Sequence, residues 1–354
     1  MNMTLPTTRK PKPSPGPLGF GNYITDHIAI CKYTDATGWA QPEIVPYRSF
    51  ELDPCALVFH YGQAIYEGLK AYRGQDSSIG LFRPDRNAMR FRGSAARMAM
   101  AEMPEEIFLR AAVELVAVEK EWVPHGPDSS LYLRPVMIAD EAAFGVRRSS
   151  SYLFFIIASP VHNIFRSGGR PFRLSVTEDY ARAAPKGGGD AKTAGNYGRT
   201  LAALTTARQN GFDNILWLDP LKNEFIEEAG ITNIFVKAGN SIITPPLNGK
   251  ILPGIIRESV IHILRDWGIV VREEELSIND LLKGIDQKEI SEVFLSGTAT
   301  HIAPVGSITR NGIEHLITEA ADGGSLMERV SIALAGIQRG LEPDKWGWMY
   351  PVIR

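Results

Sequence analysis

The chain has 354 residues, 44% of them hydrophobic and 22% charged, with 38 basic and 40 acidic side chains and a formal net charge of -2. That length accommodates two domains with separate cores, and a balanced charge without long single-sign blocks argues against a nucleic-acid or membrane-surface partner. The two cysteines, Cys31 and Cys55, lie in no Cys-x-x-Cys or zinc spacing, so neither a disulfide framework nor a metal site is expected and a reducing, cytoplasmic setting is.

Residues 1–18 are rich in Pro, Thr and Lys and lack an apolar run, which reads as a disordered arm rather than a signal peptide or membrane anchor. Strands are expected over 27–33, 43–46 and 56–61. Residues 61–67 lead into 68–73 and then 79–82, an antiparallel pair. Residues 86–98 and 107–122 carry apolar positions at helical spacing, and 131–138 and 152–158 read as strands that complete a first sheet. The run 152–158 is too short to cross a bilayer. A turn-rich stretch with Ser167-Gly168-Gly169-Arg170-Pro171 suits a linker. The expected division is therefore an arm over 1–18, a small α/β domain over 19–165, a linker over 166–173 and a second domain over 174–354.

Beyond the linker, 172–177 is strand-like and 197–209 is expected as one helix with Leu201, Leu204 and Ala207 on its apolar face. Between them lies Gly187-Gly188-Gly189-Asp190-Ala191-Lys192-Thr193-Ala194-Gly195-Asn196-Tyr197. Such glycine density leaves room for a flat or phosphorylated ligand against the backbone. A lysine there can form an imine with an aldehyde when its amine is held unprotonated. A nucleotide phosphate loop is the competing reading. It needs glycine at the two places filled by Lys186 and Ala191, and so is rejected.

Residues 214–218 form an expected strand, and 233–236 with 241–244 an expected hairpin across Gly239-Asn240. Leu252-Pro253-Gly254-Ile255-Ile256-Arg257 opens a helix with the apolar stripe Ile256, Val260, Ile263 and Leu264. Its first amides point where an anion would be welcome. Finally, a strand at 293–295 runs into Ser296-Gly297-Thr298-Ala299-Thr300, a turn offering hydroxyls and amides to anionic oxygens.

In series, these pieces resemble the branched-chain amino acid aminotransferases, members of the fold type IV pyridoxal-phosphate enzymes. The resemblance runs from about Phe20 to Gly347-Trp348-Met349 and includes Thr25-Asp26-His27, Tyr66-Glu67-Gly68-Leu69-Lys70-Ala71 and Leu81-Phe82-Arg83-Pro84. Leu131-Tyr132-Leu133-Arg134-Pro135, Glu228-Ala229-Gly230-Ile231-Thr232-Asn233 and Gly336-Ile337-Gln338-Arg339-Gly340 continue it. It implies a two-domain mixed α/β fold, with a smaller N-terminal α/β domain and a larger C-terminal pseudo-barrel that binds pyridoxal 5'-phosphate.

The resemblance also implies roles. Lys192 would bond the cofactor and shuttle the proton, and Glu228, rather than its neighbour Glu227, would face the pyridine nitrogen. Tyr197 would hydrogen-bond the ring oxygen, while Arg90, Ile255, Ile256 and Thr298 would hold the phosphate. Ile231 and Thr232 would lie in the cofactor-facing loop. Phe20, Tyr61, Tyr66, Tyr132, Arg134, Thr298 and Ala299 would line a substrate pocket at the domain interface, with Arg134 anchoring glutamate. A homodimer is implied, with a partner loop near Gly145-Val146 closing the pocket.

The implied reaction is amino transfer from L-leucine, L-isoleucine or L-valine to 2-oxoglutarate. The alternatives are a fold type IV transaminase of a specialised biosynthetic pathway, or one acting on D-amino acids or amines. Ala194, Ile231, Thr232 and Ile164 depart from the familiar pattern and bear on substrate preference. Thr300 and Ala303 stand where some members carry a redox Cys-x-x-Cys pair.

Overall fold

The computed structural model describes residues 10–13, 18–162, 169–317 and 324–353. Most of the expected arm, together with Ile164, Ser167 and Gly168, lies outside the described residues. The chain forms two compact units, one of Met1–Asn163, Ala191–Gly195 and Ile337–Arg354, the other of Ile164–Asp190 and Asn196–Gly336. Residues 191–195 and 337–353 thus pack with the first unit, although they fall within the span 174–354 expected as the second domain. Backbone pairing is the reason. Thr193 bridges Ile65, and strand Met349–Ile353 pairs antiparallel with Ile79–Phe82. Among the described residues no helix is long and apolar enough to cross a membrane.

In the first unit a nine-stranded sheet has as its main path Met349–Ile353, Ile79–Phe82, Leu69–Arg73, Ser129–Ala139, Ser151–His162, His27–Thr34 and Gly38–Trp39. All its pairings are antiparallel. Helices Pro84–Arg97 and Glu105–Val118 bury Phe91 and Phe108 against Phe154 of the sheet, with ring centroids 5.4–6.0 Å apart. The motif Thr25-Asp26-His27 has a structural place here. The Trp122 indole donates to Asp26 (3.1 Å), and the His27 ring nitrogen Nδ1 lies 2.5 Å from a Glu119 carboxylate oxygen. The motif Gly336-Ile337-Gln338-Arg339-Gly340 does likewise, since Arg339 donates to the carbonyls of Arg73 and Ser129.

One expected strand is a helix. Residues Leu57–Tyr61 form a single helical turn, closed by Gly62 at φ 63° whose amide donates to Val58 O. Of its apolar residues only Leu57 is buried, so the run has no sheet face to cover.

The second unit holds a mixed sheet in the order Ile226–Ala229, Asn214–Leu218, Phe172–Thr177, His301–Arg310, Ile290–Gly297, Asn233–Ala238, Ser241–Thr244 and Val270–Glu273. The hairpin across Gly239-Asn240 is present, and Phe235 stacks on its cross-strand partner Phe294 at 5.0 Å. Helix Ile255–Asp266 buries Ile256, Val260, Ile263 and Leu264, the stripe expected from spacing. The helix expected over 197–209 is instead two pieces, Ala194–Gly198 and Leu201–Gln209. The Thr200 hydroxyl donates to Tyr197 O (2.7 Å) at the break, and Leu201 is exposed rather than on a buried face.

Phe91 has no solvent exposure and touches both helix and sheet partners. Phe91→Ala is expected to lower the unfolding free energy of the first unit by about 3–5 kcal/mol, read by urea denaturation.

Candidate active site

Two groups of the expected residues assemble, one in each unit. In the first, strand Ala64–Tyr66 meets the segment that carries Lys192: the Tyr66 amide donates to Lys192 O (3.1 Å) and Ile65 bridges Thr193. The Lys192 amide in turn donates to the Ser94 hydroxyl (2.9 Å) on helix Pro84–Arg97. These bonds fix the backbone on both sides of the lysine, and its Nζ lies 4.9 Å from the Tyr66 ring centroid.

Next to it, Glu67 is completely buried. Arg90 grips it through Nε (2.7 Å) and Nη2 (2.8 Å), and the Asn87 amide donates to the same carboxylate (2.7 Å). Burial alone would push the Glu67 carboxyl up. Arg90, followed by Lys192 and Asn87, outweighs burial and holds it below the usual carboxylate range. Sequence reasoning did not single out Glu67 for a role. A lone acid inside the apolar run Ala64-Ile65-Tyr66-Glu67-Gly68-Leu69 is the signal that finds it, because a buried carboxylate obliges a partner.

Alternation along strand Ser129–Ala139 sends Tyr132 and Arg134 to one face. The Arg134 guanidinium lies 4.7 Å from the Tyr66 ring and 5.3 Å from the Tyr132 ring and donates to the Tyr132 hydroxyl (3.1 Å). Phe20 meets Tyr132 edge-on at 4.9 Å. Tyr61 stands apart from this set, its hydroxyl donating to Phe144 O.

In the second unit, Glu227 and Glu228 are consecutive on strand Ile226–Ala229, so they face opposite ways, and both are buried. Glu228 collects three donors: Arg182 Nε at 2.5 Å, the Leu252 amide at 2.8 Å and the Asn233 side-chain amide at 3.2 Å. Glu227 has the Lys250 ammonium at 3.2 Å, and burial, which Lys250 offsets only in part, pushes its carboxyl up to about 7. Arg182 escapes sequence reasoning because nothing in its local pattern marks it.

Around Glu228 the backbone runs tight. A side chain at Gly254 would place its Cβ 2.0 Å from Asn233 Oδ1, and Gly254 is the N-cap of helix Ile255–Asp266, which has no side-chain cap. Asn233 lies opposite Ser296 across the sheet, and Gly297 faces Thr232, so the turn at Thr298-Ala299-Thr300 follows directly. Thr232 is buried and Ile231 is exposed. Tyr197 is half-buried on the short helix Ala194–Gly198. Gly189 lies so close to the Lys250 carbonyl that a Cβ would sit 2.1 Å from its oxygen, so this glycine serves a backbone crossing.

The class IV amino-transferase family matches residues 64–308. The chain belongs to the class IV aminotransferases. It is 40% identical over 348 residues to branched-chain-amino-acid aminotransferase 2 of Bacillus subtilis, covering 98% of this chain and 96% of that one. It is 42% identical over 336 residues to the branched-chain-amino-acid aminotransferase of Mycolicibacterium smegmatis, covering 94% and 91%. Among solved structures, the Escherichia coli branched-chain amino acid aminotransferase superposes with a TM-score of 0.76 at 27% identity, over 92% of this chain and 99% of that one. A Thermobaculum terrenum branched-chain amino acid aminotransferase in its PLP form gives 0.76 at 20% identity, over 93% and 99%, a likeness of fold. The mixed α/β fold type IV architecture implied by the sequence resemblance is therefore the one observed.

Because Glu67 titrates lower in the folded than in the unfolded chain, its pairing stabilises above the usual carboxylate range and is lost as pH falls. Arg90→Ala is expected to destabilise by about 3–5 kcal/mol near neutral pH by stranding that charge. The deficit should shrink as pH falls and Glu67 takes up a proton, read from denaturation midpoints across pH.

Proposed function

We infer that the protein is a pyridoxal-phosphate-dependent branched-chain amino acid aminotransferase, moving the amino group of L-leucine, L-isoleucine or L-valine to 2-oxoglutarate. The observation that carries this reading is Lys192, anchored by backbone bonds to Tyr66 and Ser94 in a chain whose near-full-length relatives bear that name. The specialised and D-amino acid alternatives are not favoured.

The residues fit the cofactor by chemistry. Lys192 supplies an amine for its aldehyde, Arg90 a guanidinium for its phosphate, and the helix start at Ile255 and Ile256 uncapped amides for the same anion. Thr298 adds a hydroxyl there. Glu228 offers a carboxylate to the ring nitrogen and Tyr197 a phenol to the ring oxygen, with Ile231 and Thr232 beside them. When bound, the cofactor supplies an electron sink for the charge that develops on the substrate Cα. With the cofactor in place, Lys192 would serve as the base that takes up the substrate Cα proton and gives it back. Glu67 sets the plane of the Arg90 guanidinium that receives the phosphate.

Tyr66, Tyr132 and Phe20 present aromatic surface for an aliphatic side chain. Arg134, held on two of those rings, meets the γ-carboxylate of glutamate. One pocket can thus take both substrates in alternation. The same reading includes a homodimer, supported by apolar surface exposed at Phe59, Phe144 and Val146. A cytoplasmic setting is supported by two free cysteines.

A rate panel tests this reading. L-leucine, L-isoleucine and L-valine should react with 2-oxoglutarate while D-amino acids and simple amines do not, and Lys192→Ala should abolish the reaction. Arg134→Gln should raise KM for 2-oxoglutarate about tenfold or more, as loss of a charged hydrogen bond does, with a smaller change for leucine. Preferential turnover of D-amino acids would overturn the assignment.

A further inference from the structure

Arg182 is buried, and its guanidinium is spent on the surroundings of Glu228. Nε lies 2.5 Å from Glu228 Oε2, Nη1 donates to Lys250 O (2.8 Å) and Gly189 O (3.3 Å), and Nη2 donates to Gly189 O (3.3 Å). Two carbonyls therefore hold the fork from behind while its Nε is aimed at the carboxylate. Gly189 and Lys250 are themselves locked together by the crossing that admits no Cβ. Moving the cation away would break its bonds to both carbonyls.

We propose that Arg182 is a positioning residue that makes Glu228 the poorer proton acceptor, so that the proton shared with the cofactor's ring nitrogen stays on the nitrogen. This rests on the reading of Glu228 as the partner of that nitrogen. Three donors converge on Glu228, and all three are satisfied by an ionised carboxylate. A carboxylic acid would have to aim its own proton among them. When two bases share one proton, it resides on the one with the higher affinity in place. A positive charge in contact with the carboxylate lowers the carboxylate's affinity more than that of a base on its far side, because the interaction falls with distance. Arginine suits this position because it stays charged in a buried place where lysine readily loses its proton, and its fork reaches carboxylate and carbonyls together. The nitrogen kept protonated in this way is the better electron acceptor.

The test uses cofactor labelled with 15N at the ring nitrogen, reconstituted into the wild-type protein, Arg182→Met and Arg182→Lys, and read by NMR across neutral pH. The wild-type protein should show a protonated ring nitrogen. Arg182→Met should move the resonance toward the unprotonated value and lower kcat for L-leucine by about tenfold per pKa unit of lost proton preference, with KM little changed. Arg182→Lys should lie between them, and it also serves if the methionine variant does not fold. In a further variant, Arg182→Ala, prepared in the same way, added guanidinium should restore part of the shift. An Arg182 variant that binds the cofactor with an unchanged nitrogen resonance overturns the proposal even if its activity falls, since a structural role alone would do that. A wild-type protein that binds no cofactor, or binds it with an unprotonated nitrogen, instead overturns the reading of Glu228 on which the proposal rests.

Discussion

Burying a carboxylate without a partner is too costly for a folded chain, and that constraint organises both units. In the first, Glu67 has no solvent exposure, and the helix Pro84–Arg97 supplies Asn87 and Arg90, one turn apart, to meet it. The same helix supplies Ser94, whose hydroxyl accepts from the Lys192 amide. One helix face therefore holds an acid, a cation and the segment that carries Lys192 in a fixed relation. In the second unit, Glu228 draws Arg182, Asn233 and the Leu252 amide together, and with them the start of helix Ile255–Asp266. Buried ion pairs add little net stability compared with apolar packing, but they fix where each charged group lies.

Close backbone approach is the second constraint, and it explains why particular glycines stand where they do. Gly254 lets Asn233 reach the helix N-terminus, and Gly189 lets the loop before Lys192 cross the Lys250 carbonyl. Gly230, at φ 59°, closes the turn between Glu228 and Asn233, and its carbonyl accepts from the Trp217 indole (2.9 Å). A methyl group at the first two positions would displace the groups around Glu228, and at the third it would strain the turn that spaces Glu228 from Asn233.

Much of this is legible in the sequence where a pattern is local. Strands Glu43–Pro46, Ile79–Phe82, Phe172–Thr177, Asn214–Leu218 and Ser241–Thr244 fall within the bounds that alternation and turn residues predict. Helix Ile255–Asp266 and its buried stripe follow from spacing and Gly254. Where tertiary packing decides, the pattern misleads. The run at Leu57–Tyr61 is apolar but finds no sheet edge, so Gly62 closes it as a helical turn. The expected helix over 197–209 breaks where Thr200 bonds the Tyr197 carbonyl. Strand Met349–Ile353 gives no signal at all, since its partner Ile79–Phe82 lies far away in the chain. The site divides similarly. Lys192 and Glu228 are visible through their motifs. Arg182 is not, because its partners are the distant Glu228 and Lys250 together with Gly189, and no local period records them.

The central claim is the proposed amino transfer from branched-chain substrates with Lys192 as the cofactor-bonding residue. It is tested most directly by the visible absorption spectrum of the purified protein before and after adding L-leucine with no oxo acid present. The expected result is a yellow band from lysine-bound cofactor that bleaches on addition of L-leucine, as amino transfer leaves the cofactor in its amine form. A colourless protein that stays colourless when supplied with pyridoxal phosphate, or a yellow band that L-leucine leaves unchanged, would contradict it.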